Sequence, residues 1–100
     1  MAKAGFRIVR DYYYERDKKE GNLSEGDKSE VGKESLNYEP GNDKVRCKLY
    51  DDDGLLYYEA VCTGERGAEL FHDWGEGYAG TVFSKIRKID KGEQWGDFIG

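Results

Sequence analysis

VRCKLYDDDGLLYYEAVC, residues 45–62, reads as two strands around a tight turn. With the turn at Asp53-Gly54, a dipeptide suited to left-handed dihedrals closes a two-residue hairpin loop. Leu49 then faces Tyr58, Cys47 faces Ala60, and Val45 faces Cys62. On the opposite face Lys48 meets Glu59 and Tyr50 meets Tyr57. A three-residue loop would shift the parity and bury Glu59 instead. The segment DDDG is therefore first a hairpin tip.

The preceding segment, LNYEPGNDKVRCKLY (36–50), reads as a second hairpin turning at Gly41-Asn42, with Tyr38 opposite Val45, Leu36 opposite Cys47 and Glu39 opposite Lys44. Both turns place Leu36, Tyr38, Val45, Cys47, Leu49, Leu56, Tyr58, Ala60 and Cys62 on one core face. Cys47 and Cys62 become diagonal neighbours with β-carbons roughly 7 Å apart, beyond the about 4 Å that a disulfide needs. They are expected to share a face as free thiols.

Outward from this centre, FRIVRDYYYER (6–16) alternates and predicts a strand, with Phe6, Ile8, Tyr12 and Tyr14 on one side. Residues 17–32, DKKEGNLSEGDKSEVG, lack apolar periodicity and predict a mobile polar loop anchored only by Leu23 and Val31. In ERGAELFHDWG (65–75), Ala68, Phe71 and Trp74 recur at helical spacing. Thr63 is positioned to cap that helix, Gly75 and Gly77 to end it, and Tyr78 to close over its end. TVFSKIRKI (81–89) and QWGDFI (94–99) predict two more strands around a turn at Lys91-Gly92. Their facing stays open: Phe83, Ile89 and Phe98 compete with Val82, Ile86, Trp95 and Ile99 for the core side. The expected fold is one α+β domain over residues 1–100, an antiparallel sheet of five to six strands with one short helix on one face.

The charge pattern narrows function. The formal net charge is −5, with 37% charged residues of mixed sign. That balance opposes long-range attraction to bare nucleic acid. No apolar run approaches a membrane span, and MAKAGFRIVRDYYY has no apolar core of signal-peptide type, so a cytoplasmic location is expected.

Dedicated chemistry finds little support. An EF-hand loop with its glycine at Gly54 would begin at Leu49 and end at Ala60, neither of which supplies a carboxylate. No Cys-x-x-Cys pair, GxGxxG or Walker pattern occurs. His72, the sole histidine, is expected on an exposed helix face, with Asp73 pointing elsewhere and the cysteines in the core. We therefore expect no catalytic residue, cofactor or metal.

Two surfaces remain. Asp51, Asp52 and Asp53 at the hairpin tip, beside Tyr57, can join Glu69, Asp73 and Glu76 on the helix side in a negative protein-binding surface. Arg46, Lys48, Tyr50 and Tyr57 on the outer hairpin face can instead hold single-stranded nucleic acid by charge and stacking. Consecutive tyrosines at 12–14, of which a strand must expose at least one, favour a binding module over an enzyme.

LYDDDGLLYYEA, FHDWGEGYAGT and QWGDFIG together resemble short proteins of bacteria and their phages. By size and charge the chain is similar to phage-encoded inhibitors of host defence, such as anti-CRISPR proteins. The resemblance implies a non-enzymatic inhibitor whose partner is a basic, nucleic-acid-binding protein. An edge strand in so small a sheet is also compatible with a homodimer.

Overall fold

The 45–62 hairpin forms the centre of the molecule. The computed structural model describes residues 4–21, 26, 28–89 and 94–99. In it β2 (Val45–Tyr50) pairs antiparallel with β3 (Leu56–Cys62). Val45 lies opposite Cys62, Cys47 opposite Ala60, Leu49 opposite Tyr58 and Lys48 opposite Glu59, as alternation required. The turn differs from the expected two-residue loop. Tyr50 pairs with Leu56 rather than Tyr57, and the Asp51 amide donates to the Leu55 carbonyl at 3.0 Å. Tyr57 is the extra residue of a bulge, and the bulge restores the parity that the odd loop would have reversed.

Three more strands complete one antiparallel sheet: β1 (Phe6–Asp11), β4 (Phe83–Lys88) and β5 (Gly96–Ile99), in the order β1-β3-β2-β4-β5. Among the described residues two helices accompany it, α1 (Tyr12–Glu20) and α2 (Glu65–Ala79), where one was expected. The fold is α+β.

The extra helix replaces the predicted strand over 12–16. The Asp11 carboxylate accepts the Tyr14 amide at 2.8 Å, which caps the helix start, and Gly21 ends it at φ 76°. With Glu15 in the first turn and Lys18 and Lys19 in the last, end effects outweigh the strand preference of three tyrosines. Of the predicted loop 17–32, residues 17–20 belong to α1, and 22–25 and 27 lie outside the described residues. Gly32 donates to the Ile8 carbonyl at 2.8 Å, and Ile8 donates to Lys33 at 2.9 Å, along the outer edge of β1. Val31 is no anchor, being 53% exposed, and Leu23 lies outside the described residues.

The predicted 36–50 hairpin does not form. Residues 33–35 line the β1 edge instead, and Leu36, expected in the core, is 98% exposed. Pro40 has no N–H to give a ladder. Tyr38 is half-buried, and its hydroxyl donates to Asp43 at 2.9 Å.

The core lies between the sheet and α2. Phe6, Ile8, Val45, Cys47, Leu49, Tyr58, Ala60 and Cys62 meet Ala68 and Phe71. The Phe6 and Phe71 rings lie 5.0 Å apart, and Tyr58 meets Trp74 at 5.1 Å. Burying Phe71 completely contributes about 2 kcal/mol. Thr63 does not cap α2; its hydroxyl accepts the Gly5 amide at 2.9 Å, and Gly64 takes the cap position with no side-chain bond. Nor do Gly75 and Gly77 end the helix, which runs to Ala79 and closes at Gly80. Gly75 faces inward, where Leu49 and Thr81 leave no room for a side chain. Tyr78 is 59% exposed and stacks on Trp74.

Cys47 and Cys62 are buried and unlinked. Burial pushes the Cys47 thiol up to about 12 and the Cys62 thiol up as well. Thiolate is the reactive form, so both cysteines should resist a disulfide reagent such as Ellman's in the native protein and react rapidly in urea. Fast native labelling would contradict the packing. The sign of the linkage is also set: raised folded-state values mean that stability is full below the unfolded thiol range near 9 and falls as pH rises toward 12.

Candidate functional site

The sheet has one face under α2 and one without it. On β2 the alternation that buries Val45, Cys47 and Leu49 turns Arg46, Lys48 and Tyr50 outward. β4 repeats it in register: Arg87 lies opposite Arg46, Lys85 opposite Lys48 and Phe83 opposite Tyr50. Ser84 and Ile86 fall on the helix side, opposite Leu49 and Cys47. This settles the facing of the last strands. Ile86 and Phe98 pack at the core margin, whereas Trp95 goes to the outer face.

Aromatic rings hold the cations of that outer face. The Lys48 ammonium sits 4.2 Å from the centre of the Trp95 ring, and the Arg87 guanidinium sits 5.5 Å from it. Among the described residues no acceptor reaches the buried Nε of Arg87. Lys85 lies 5.6 Å from the Tyr50 ring. Such contacts keep a cation in place without neutralising it. Arg46 is different. Its Nε and Nη2 both approach the Glu59 carboxylate at 2.7 Å, and the Tyr12 hydroxyl donates to the same carboxylate at 3.3 Å. Burial, then the Glu59 charge, raises the Tyr50 phenol above its ordinary range, so it remains neutral.

Of the four residues that the sequence offered for nucleic acid, Arg46, Lys48 and Tyr50 share this face. Tyr57 does not. The bulge turns it to the α1 side, where its ring lies 4.9 Å from Tyr13. Lys85, Arg87 and Trp95 were missed, because nothing in the sequence fixed the register of β4 or β5. TVFSKIRKI does carry the signal, two cations spaced i, i+2, once its strand register is known.

The acidic residues are less united. Asp51 is buried, and its Oδ1 accepts the amides of Asp53 at 2.9 Å and Leu55 at 2.8 Å, so it builds the turn. Asp52 and Asp53 are exposed, with carboxylates of all three within 4.8 Å of one another. Glu69 pairs with Arg66 at 2.9 Å, Asp73 is exposed, and Glu76 lies 3.4 Å from His72 Nε2.

His72 corrects the sequence reading. It is buried, not exposed, and its Nδ1 lies 3.0 Å from the Ser84 hydroxyl. Ser84, His72 and Glu76 thus form a serine–histidine–carboxylate chain. In an acyl-transfer triad the serine faces the cleft and the carboxylate is buried. Here the burial is inverted: Ser84 is 1% exposed while the Glu76 side chain is 64% exposed. The chain pins α2 to β4.

No family model, curated protein or solved structure matches this chain.

Proposed function

We propose that the protein binds single-stranded nucleic acid on the sheet face away from α2. Bases stack on Trp95 and Tyr50, and phosphates meet Lys48, Lys85 and Arg87. The observation that carries this reading is the set of three cations resting on two aromatic rings across adjacent strands. Stacking contributes about 1–3 kcal/mol per base and tolerates any sequence. The net charge of −5 does not prevent it. At 0.1 M salt the screening length is about 10 Å, so the acidic groups that count are those on the face itself: Glu59, which Arg46 pairs, and Asp97, opposite Lys85, against the three cations.

The test is fluorescence anisotropy of a labelled oligothymidine at low salt. Saturable binding is expected, with affinity falling about tenfold in Trp95→Ala. Three phosphate contacts imply a log–log salt slope of roughly −2 for a single strand. Absence of any anisotropy change at low salt would sink the proposal.

A second reading rests on the negative charge gathered at Asp52 and Asp53. In it the chain is an acidic, non-enzymatic binding module of the phage-inhibitor type, and its partner is a basic protein. Capture of a nucleic-acid-binding protein that survives nuclease treatment, and is lost on reversing both aspartates, would put this reading first.

A further inference from the structure

A groove of about 750 Å³ runs between α1, the start of β3 and the C-terminal end of α2. Among the described residues its walls are Tyr13, Tyr14, Tyr57, Tyr58 and Tyr78, with three carboxylates, Asp11, Asp17 and Glu30, and one cation, Lys28. No step of nucleic-acid binding on the open sheet face uses any of them. We propose that this groove is a binding site for a small organic polycation of the polyamine class.

The rings are held by one another. Tyr13 meets Tyr57 at 4.9 Å, Tyr57 meets Tyr58 at 6.2 Å, Tyr58 meets Trp74 at 5.1 Å, and Trp74 stacks on Tyr78 at 5.0 Å. A linked set of aromatic faces is preorganised, so a guest does not have to order it. Alkylammonium groups sit well over such faces, because the ring quadrupole attracts the charge while the methylenes desolvate against carbon. The protein's own cations already use the rim in this way. The Lys33 ammonium lies 5.1 Å from the Tyr78 ring, and the Arg16 guanidinium lies 6.0 Å from Tyr57.

The carboxylates select charge and number. Asp11 is fixed by the Tyr14 amide at 2.8 Å and the Glu30 amide at 2.9 Å. Glu30 accepts the Tyr78 hydroxyl at 2.9 Å and lies 3.5 Å from Lys33. Asp17, on α1, is half-exposed at the groove. Among the described residues, Lys28 and the rim cations Lys33 and Arg16 equal the three carboxylates in number, so a guest ammonium binds by taking the ring faces that Lys33 and Arg16 now hold and the Glu30 carboxylate that Lys33 now pairs. Carboxylates on both α1 and the 28–30 segment suit a chain carrying more than one ammonium. Burial raises the Tyr57 and Tyr58 phenols, so their hydroxyls stay neutral beside a guest.

The experiment titrates spermidine into the intact protein, read by calorimetry and by tyrosine ring resonances. Magnesium chloride at matched ionic strength is the charge-only control. Saturable binding is expected, with shifts confined to the groove tyrosines. Tyr13→Leu, at a 44% exposed ring, should weaken it about fivefold. Asp17→Asn should do likewise, and Trp95→Ala should leave it unchanged. Because Tyr13 and Asp17 are not buried, either variant should keep the fold, which melting curves check. No saturation at millimolar spermidine, or equal shifts from magnesium, would overturn the proposal. The sheet-face reading would survive either failure, since its oligonucleotide titration uses other residues.

Discussion

Gly67→Ala should destabilise the protein by roughly 3 kcal/mol, although alanine is the better helix former. Gly67 is buried in α2 at the point where the helix crosses the start of the sheet. A methyl group there would overlap the Gly5 carbonyl oxygen, and Gly5 C and N lie only 3.1 and 3.2 Å away. The obstacle is backbone, and that backbone is fastened. The Gly5 amide donates to the Thr63 hydroxyl at 2.9 Å, and its carbonyl accepts the Thr63 amide at 3.0 Å. Behind it, Tyr38 closes over Gly5 so tightly that a side chain on Gly5 would meet the Tyr38 backbone. Retreat would therefore cost hydrogen bonds on one side and create overlap on the other. Overpacking of this kind typically costs 1–3 kcal/mol, and the upper end applies where no side chain can give way. Gly77 provides the control. It lies in the same helix, is exposed, and has open space where a Cβ would stand. Gly77→Ala should gain about 1 kcal/mol from helix propensity alone. Urea unfolding of the two variants measures both signs, and equal stabilities would disprove the close approach.

That contact also shows where sequence reasoning stops. The apolar spacing of Ala68, Phe71 and Trp74 revealed the helix and its buried face. It could not reveal that Gly67 meets Gly5, since no local pattern links residues 62 positions apart. The same limit explains the false hairpin over 36–50. Its turn residues were plausible, but the edge of β1 competed for the chain and won it at residues 33–35. In the central hairpin the core parity was legible because alternation on both strands agreed. The bulge at Tyr57 was not, and it decides the candidate site. It removes Tyr57 from the basic face and places it in the tyrosine groove. Arg46, Lys48 and Tyr50 were readable as one face from β2 alone. Lys85, Arg87 and Trp95 needed the pairing of β4 with β2, a long-range fact. For α1, the alternation of residues 6–16 reads as one strand, and the Asp11 cap that starts the helix lies inside that run.

Arg46→Leu should cost about 3 kcal/mol, the loss expected when one partner of a buried ion pair is removed. The Glu59 side chain is 9% exposed, and Arg46 gives it a hydrogen bond from Nε at 2.7 Å and an ion-pair contact from Nη2 at 2.7 Å. Without Arg46 the carboxylate keeps, among the described residues, the Tyr12 hydroxyl at 3.3 Å. The Arg46 side chain is 32% exposed, which places the cost at the lower end of the range for a fully buried pair. The reverse deletion is milder. In Glu59→Leu the guanidinium can reach water, so about 1 kcal/mol is expected. Arg46→Leu/Glu59→Leu should be more stable than Arg46→Leu alone, because removing the stranded charge offsets the lost pair. For a domain of this length, with total stability of about 5–15 kcal/mol, these differences are easily resolved by denaturant titration. The cycle also separates two roles for Arg46. If Arg46 serves mainly to neutralise Glu59, the folded double variant should bind oligothymidine nearly as well as the wild type, while Lys48→Glu binds poorly. If the double variant folds but loses binding as Trp95→Ala does, Arg46 belongs to the phosphate contacts and the carboxylate beside it is their support.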